Sequence, residues 1–296
     1  MTLSLDRRLD ADRLTGIALV VAAAVLWSTA GLVFRFIETA TPWQVVFWRS
    51  GTLVPFVFLL IAVRSRGRPL AVIRAAGWHA VVAGCALAVA FTAWILALSE
   101  TTVANAVFVL CCSPIVAAVL AWMVLGERLS RATVAAMAGV LVGLAIMTGG
   151  AVADGRLLGN LIALGAAFGF AAYTVTVRLR RAVDMTPAIL VAGIVSSAVG
   201  LVMSGFEVAV PLSDLVWCTV LGIGQVGLGL VIYTIGSRHL PAVELTLLSL
   251  IEVVLSPIWV WLLLAEQPAA ATLAGGAVML AAVVGQAIHG SRRAAA

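Results

Sequence analysis

The chain repeats itself at a fixed spacing, and the repeat unit holds an odd number of membrane-length apolar segments. Trp78 recurs as Trp217, Trp122 as Trp261, Glu127 as Glu266 and Thr133 as Thr272, each 139 residues later. Trp94 falls opposite Tyr233 in the same register, and Asn105 opposite Glu244. At the front of each half the spacing widens to 143, where Gly16 matches Gly159 and Arg35 matches Arg178. Five crossings per unit place the second unit upside down relative to the first. Two inverted units enclose a polar midplane where they meet. The composition fits a bilayer and not water. The chain is 63% hydrophobic and 10% charged, against roughly 45–50% and about 25% in ordinary globular proteins.

A bilayer core about 30 Å thick needs roughly 20 apolar residues per helix. Ten segments qualify: 14–36, 43–63, 77–98, 102–125, 132–149, 157–178, 186–205, 213–235, 242–265 and 269–288. Short linkers carry helix-ending punctuation such as Thr41-Pro42, Arg68-Pro69, Asp154-Gly155 and Thr186-Pro187. The alternating ten-residue strands of a membrane barrel are absent. The expected fold is an all-α membrane protein of ten transmembrane helices in two inverted five-helix repeats, 14–149 and 157–288. Residues 1–13 and 289–296 form the tails. The apolar run after Arg13 is too long for a signal-peptide core, so it reads as a retained first span.

All 18 basic residues other than His are Arg, and the formal net charge is +5. In a soluble chain that would hint at nucleic acid. Here the Arg residues occupy short loops and report topology. One side carries Arg7, Arg8, Arg13, Arg64, Arg66, Arg68, Arg74, Arg128, Arg131, Arg178, Arg180, Arg181, Arg238, Arg292 and Arg293. The other has only Arg35 and Arg156, with Glu38, Glu100, Asp154, Glu207, Asp214 and Glu266. The positive-inside rule puts both termini in the cytoplasm. The four cysteines lie in apolar runs without metal-ligand spacing, and read as small buried side chains.

Polar residues within the spans are the candidates for function. Glu252 lies about ten residues into the ninth segment, a depth of about 15 Å at the helical rise. A charge there costs about 2.5–3.5 kcal/mol on insertion scales, so it should face a cavity, find a partner or take a proton. A structural hydrogen bond between helices is the competing reading. Arg49 sits in the outer third of the second segment. Its fork could hold a carboxylate, pair with Glu252 or cap helix carbonyls. Trp27, Trp94, Tyr173 and Tyr233 lie within spans, where they can wall a cavity or simply pack. Ser28, Thr29, Asn105, Gln225 and Ser249 complete the set of candidate binding residues. Glu244, Glu252 and Arg49 are the candidates for coupling or gating. Glu127 and Glu266 end the fourth and ninth segments, where capping the next span is the simplest role. Gly139 and Gly143 form a small-xxx-small pair for close helix packing, and Gly222, Gly224, Gly227 and Gly229 alternate in the eighth segment.

Several stretches resemble the ten-helix, EamA-type exporters of the drug/metabolite transporter superfamily. Leu26-Trp27-Ser28-Thr29 resembles the family's Trp-Gly-Ser-like stretch, and Pro42 with Trp48-Arg49 its Pro-then-Arg pattern. Ser113-Pro114 through Trp122, Leu125, Gly126 and Glu127 resembles its Pro-to-Gly-Glu signature. The counterpart ending at Glu266 has Ala265 for Gly, and its proline stands one turn late, at Pro257. The resemblance covers nearly the whole chain and comes closest to the amino-acid exporters. It implies export of amino acids or related small metabolites across the inner membrane by alternating access. It also implies lining by the first, third and fourth spans with their counterparts, and peripheral fifth and tenth spans that could support a homodimer. Another small molecule or drug is the alternative substrate. The missing Lys disfavours phosphate-bearing ones. No Walker motif, HExxH or nucleophile–base arrangement is present, so neither an enzyme, a cofactor, a metal nor a nucleic-acid partner is expected, and an intramembrane enzyme is the remote alternative. The expected partners are a small-molecule substrate and the lipid bilayer.

Overall fold

The computed structural model describes residues 2–126, 131–153, 156–180, 183–236, 240 and 242–294; the side chains of 2–13, 132, 148–153, 242–247 and 286–294 are not described. Every regular element among them is helical. In chain order these are α1 (Thr2–Ser28), α2 (Ala30–Arg35), α3 (Pro42–Arg64), α4 (Pro69–Glu100), α5 (Val103–Leu110), α6 (Ser113–Leu125), α7 (Arg131–Ala153), α8 (Leu157–Leu179), α9 (Thr186–Met203) and α10 (Leu212–Thr219). A π-helical stretch (Val220–Leu228) follows, then α11 (Gly229–Gly236), α12 (Ala242–Leu264) and α13 (Ala270–Ala294). Among the described residues, seven helical stretches are long and apolar enough to cross a membrane, and Thr133–Met147, Leu248–Leu264 and Ala270–Gly285 are shorter apolar helices.

Three of the expected continuous helices are interrupted. The first breaks at Thr29, between α1 and α2. There the Ser28 hydroxyl donates to Val25 O at 2.6 Å and the Thr29 hydroxyl to Leu26 O at 2.7 Å. Such back-bonding competes with the helical ladder and bends it. The fourth breaks at Cys111-Cys112, where Pro114 enters α6. Proline lacks the N–H that a continuous helix would need there. The eighth widens into a π-helix over its glycine-rich stretch. π-turns of this kind cluster at functional positions. α4 also kinks at Gly77, whose φ of 60° only glycine adopts readily. Residues 69–76 therefore form a separate short helix before the third apolar segment.

The contacts repeat when the halves are exchanged. α1 packs against α11 and α12, and correspondingly α8 packs against α4 and against α5 and α6. α3 lies on α9 and on the π-helical stretch, as α9 lies on α3 and α4. α5 meets α12, and α7 meets α13. The last pairing shows what the fifth-segment glycines do. A Cβ on Gly143 would strike Met279 and the Gly275 carbonyl, and one on Gly275 would strike the Gly143 carbonyl and Met147. Small residues let these two backbones touch.

The ends of corresponding segments also match. Gly126 closes α6 with φ 67°, and Ala265 follows α12 with φ 54°. Both positions need the left-handed conformation, which suits glycine and strains alanine. The departure from the Gly-Glu pattern noted in the sequence is therefore a departure in residue and not in backbone. Trp78, Trp122 and Trp261 are more than half exposed, as aromatic side chains at a membrane interface would be.

Candidate functional site

The break in the first segment is the centre of a polar and aromatic cluster. The Trp27 ring lies 5.2 Å from the Tyr233 ring, tilted against it. Gln225 Nε2 donates to the Trp27 carbonyl at 3.2 Å, one of the acceptors freed where the helix stops. Gly229 presses on the Trp27 indole with no room for a Cβ. Trp259 Nε1 donates to the Ser28 hydroxyl at 2.8 Å. Tyr233 hydrogen-bonds Ser249. The cluster therefore draws Trp27 and Ser28 from α1, Gln225 from the π-helical stretch, Tyr233 from α11, and Ser249 and Trp259 from α12.

α12 presents one polar face to this place. Ser249, Glu252, Ser256 and Trp259 recur at helical spacing and share a stripe. Ser256 is buried and its hydroxyl bonds back to Glu252 O at 2.8 Å. Glu252 is half-buried, and its carboxylate acts electrostatically on the Cys111 thiol at the break in the fourth segment. Among the described residues no hydrogen bond holds that carboxylate. Trp259, which joins the cluster through Ser28, and Ser256 on the same stripe are residues that reading the sequence missed. The signal was the stripe beginning at Ser249, hidden because Ser and Trp are each common in a membrane helix.

The other candidates fall elsewhere. Asn105 is 3% exposed and lies in a network of its own. Its Nδ2 donates to Thr101 Oγ1 at 3.1 Å, its Oδ1 accepts from Thr272 at 2.6 Å, and Thr101 in turn bonds Asn160 at 3.2 Å. These bonds join α5, α8 and α13. Trp94 is half-buried and packs against two apolar clusters. The Thr29 hydroxyl is used by its own helix. Arg49 is 4% exposed, with its guanidinium 4.8 Å from the Phe91 ring centroid. It makes no ion pair with Glu252 among the described residues, in contrast to one pairing the sequence suggested. The Glu244 side chain and Glu127 lie outside the described residues.

A cavity of about 460 Å³ opens beside the cluster, towards the chain end of α3. Arg64, Tyr173, Asp184, Thr186, Leu230 and Thr234 are among its walls. Tyr173 is thus a lining residue, but of this vestibule and not of the Trp27 cluster. Leu230 and Thr234 flank Tyr233 on α11, so one helix borders both spaces.

At the opposite end, polar contacts join the two halves. Arg35 Nε pairs with Glu266 Oε2 at 2.9 Å, and its other nitrogens donate to Leu98 O and Thr101 O. Glu266 Oε1 accepts the Val103 N–H at 2.9 Å. Glu266 does cap a helix N-terminus, but that of α5 and not of the next helix, as expected from its place in the chain. Asp214 accepts from the backbone N–H groups of Glu38, Thr39 and Ala40 and from the Thr39 hydroxyl. Gln44 and Trp48 donate to the carbonyls of Glu207, Ala209 and Val208.

Long apolar helices broken around a polar cluster, with contacts that repeat between two halves, define a multi-pass helical membrane protein of the carrier class. The chain belongs to the EamA-like transporter family, whose model matches it twice, over residues 14–149 and 157–286. It is thus a membrane transporter of the drug/metabolite superfamily. A crystal structure whose title says only that it is of a protein shares the fold, with a TM-score of 0.66 at 24% identity, covering 95% of this chain and 99% of its own. No curated protein matches the chain.

Proposed function

We propose that the protein exports amino acids or related small metabolites across the inner membrane by alternating access, with substrate held between two inverted five-helix repeats, 14–149 and 157–288. The observation that carries this reading is the helix break at Ser28-Thr29, with its ring of Trp27, Gln225, Tyr233, Ser249 and Trp259. Broken helices at mid-depth are tolerated where backbone lines a cavity, and carriers build their substrate sites there. Trp27 and Tyr233 offer ring faces to an apolar side chain or an ammonium group. Glu252 supplies the acid for a substrate amine or for a transported proton.

The ten apolar segments cross the bilayer with both termini in the cytoplasm, on the side of the Arg-rich loops. In that orientation the vestibule by Arg64 and Asp184 faces the cytoplasm, and the Arg35–Glu266 tie closes the outer face. The arrangement is then an inward-facing state, poised to load an export substrate.

The test is transport of labelled amino acids by the purified chain in proteoliposomes, with and without a pH gradient. Accumulation or counterflow of at least one member is expected, with Glu252→Gln abolishing any dependence on the gradient. If no amino acid moves while an unrelated cationic drug does, the alternative substrate class within the family replaces this one.

A further inference from the structure

Arg49 is the anomaly of the interior. It is 4% exposed, yet its Nε and Nη1 meet no acceptor among the described residues. Its one specific contact is the Phe91 ring, 4.8 Å from the guanidinium carbon. A guanidinium sealed in apolar surroundings without a partner is unfavourable, and such groups are retained where something else completes them. No described side chain does so. Phe91 faces it from α4, and Cys218 acts on it electrostatically from α10. Asp214 stands one turn before Cys218, but its carboxylate is occupied by the 38–40 backbone and the Thr39 hydroxyl. Glu252 acts electrostatically on Cys111 and makes no ion pair with Arg49 among the described residues.

Two further buried polar groups, Ser50 Oγ on the same helix and Gln225 Oε1 on the π-helical stretch, are also unsatisfied among the described residues, at 1% and 7% residue exposure. That stretch lies against the α3 backbone at Arg49, since a Cβ on Gly222 would strike the Arg49 carbonyl and Thr52. The widened turns and small residues of Val220–Leu228 are therefore what covers α3 at Arg49.

We infer that Arg49 is the anchor for a carboxylate on the transported solute, exposed when the π-helical stretch shifts off α3. The guanidinium presents parallel N–H donors that match a carboxylate. The Phe91 ring lies against it, 4.8 Å from the guanidinium carbon. The inference rests on the exporter reading above and narrows its substrate class to solutes that carry a carboxylate.

The test is ligand-induced thermal stabilisation of the purified, detergent-solubilised chain by the twenty standard amino acids and by their primary amides. Transport of the same compounds in proteoliposomes is measured alongside. At least one amino acid is expected to stabilise the protein, with its amide binding at least tenfold more weakly. Arg49→Lys should weaken the amino acid at least tenfold and narrow the gap between acid and amide, because it keeps the charge and loses the fork. Wild-type selectivity decides the matter even if the variant does not fold. An amide that binds and moves as well as its acid overturns the carboxylate anchor and leaves the exporter reading intact. If nothing in the panel binds or moves, both fail.

Discussion

Removing the Glu266 carboxylate should loosen the closed end of the molecule by a calculable amount. That one group holds Arg35 at 2.9 Å and caps Val103 at 2.9 Å. The two side chains are 26% and 21% exposed, so the pair is neither on the surface nor sealed. Exposed pairs contribute about 0.2–1 kcal/mol, whereas breaking a buried one costs roughly 3–5 kcal/mol. An intermediate burial, with a helix cap lost as well, gives about 2 kcal/mol for Glu266→Ala. At 1.4 kcal/mol per decade this is about a 30-fold rise in the open population of that end. Arg35 keeps its bonds to Leu98 O and Thr101 O, so the loss is confined to the tie between the halves. Hydrogen–deuterium exchange of the protein in nanodiscs reads it at the first amides of α5. The Val103 amide should exchange about 30-fold faster in Glu266→Ala, scaling with the opening free energy. Glu266→Gln, which keeps neutral acceptors, should fall between the two. Exchange within threefold of wild type in the alanine variant would refute the claim that this carboxylate holds the end closed.

Two stability predictions follow from the backbone. Gly275→Val forces a side chain against the Gly143 carbonyl and Met147, and overpacking of this kind costs about 1–3 kcal/mol; a lowered thermal unfolding midpoint in detergent is expected, and an unchanged one would show that α7 and α13 are free to separate. Ala265→Gly relieves a left-handed alanine at φ 54°, worth roughly 1–2 kcal/mol, less about 0.5–1 kcal/mol for the greater freedom of glycine in the unfolded chain; a net gain of about 0.5–1 kcal/mol should raise the midpoint, and a loss would mean that the alanine methyl packs where it stands.

What the sequence revealed followed from regularities that survive without a third dimension. Apolar runs located the helical segments because a bilayer demands them. The 139-residue register pairs Gly126 with Ala265, and the two share a left-handed backbone. The recurrence of Glu266 reads as architectural, but the structure gives it another target. Capping the next helix is the local solution, whereas the group it reaches is the start of α5, 163 residues away. Asn105 illustrates the same blindness. A buried amide in a span reads as a ligand for substrate, and only the fold supplies Thr101 and Thr272 as its partners.

The sequence by itself determined that this chain is a helical membrane protein built twice over, because hydrophobic length and internal repetition are properties of the linear order. The tertiary structure alone decided which polar residues meet. Trp27, Gln225, Tyr233 and Trp259 are separated by as many as 232 positions and converge where the broken first segment and the widened eighth meet α12. Whether a buried polar group is satisfied depends on neighbours that no periodicity encodes. That is why Asn105 proved to be bonded on both sides of its amide, and Arg49 was left with an open fork.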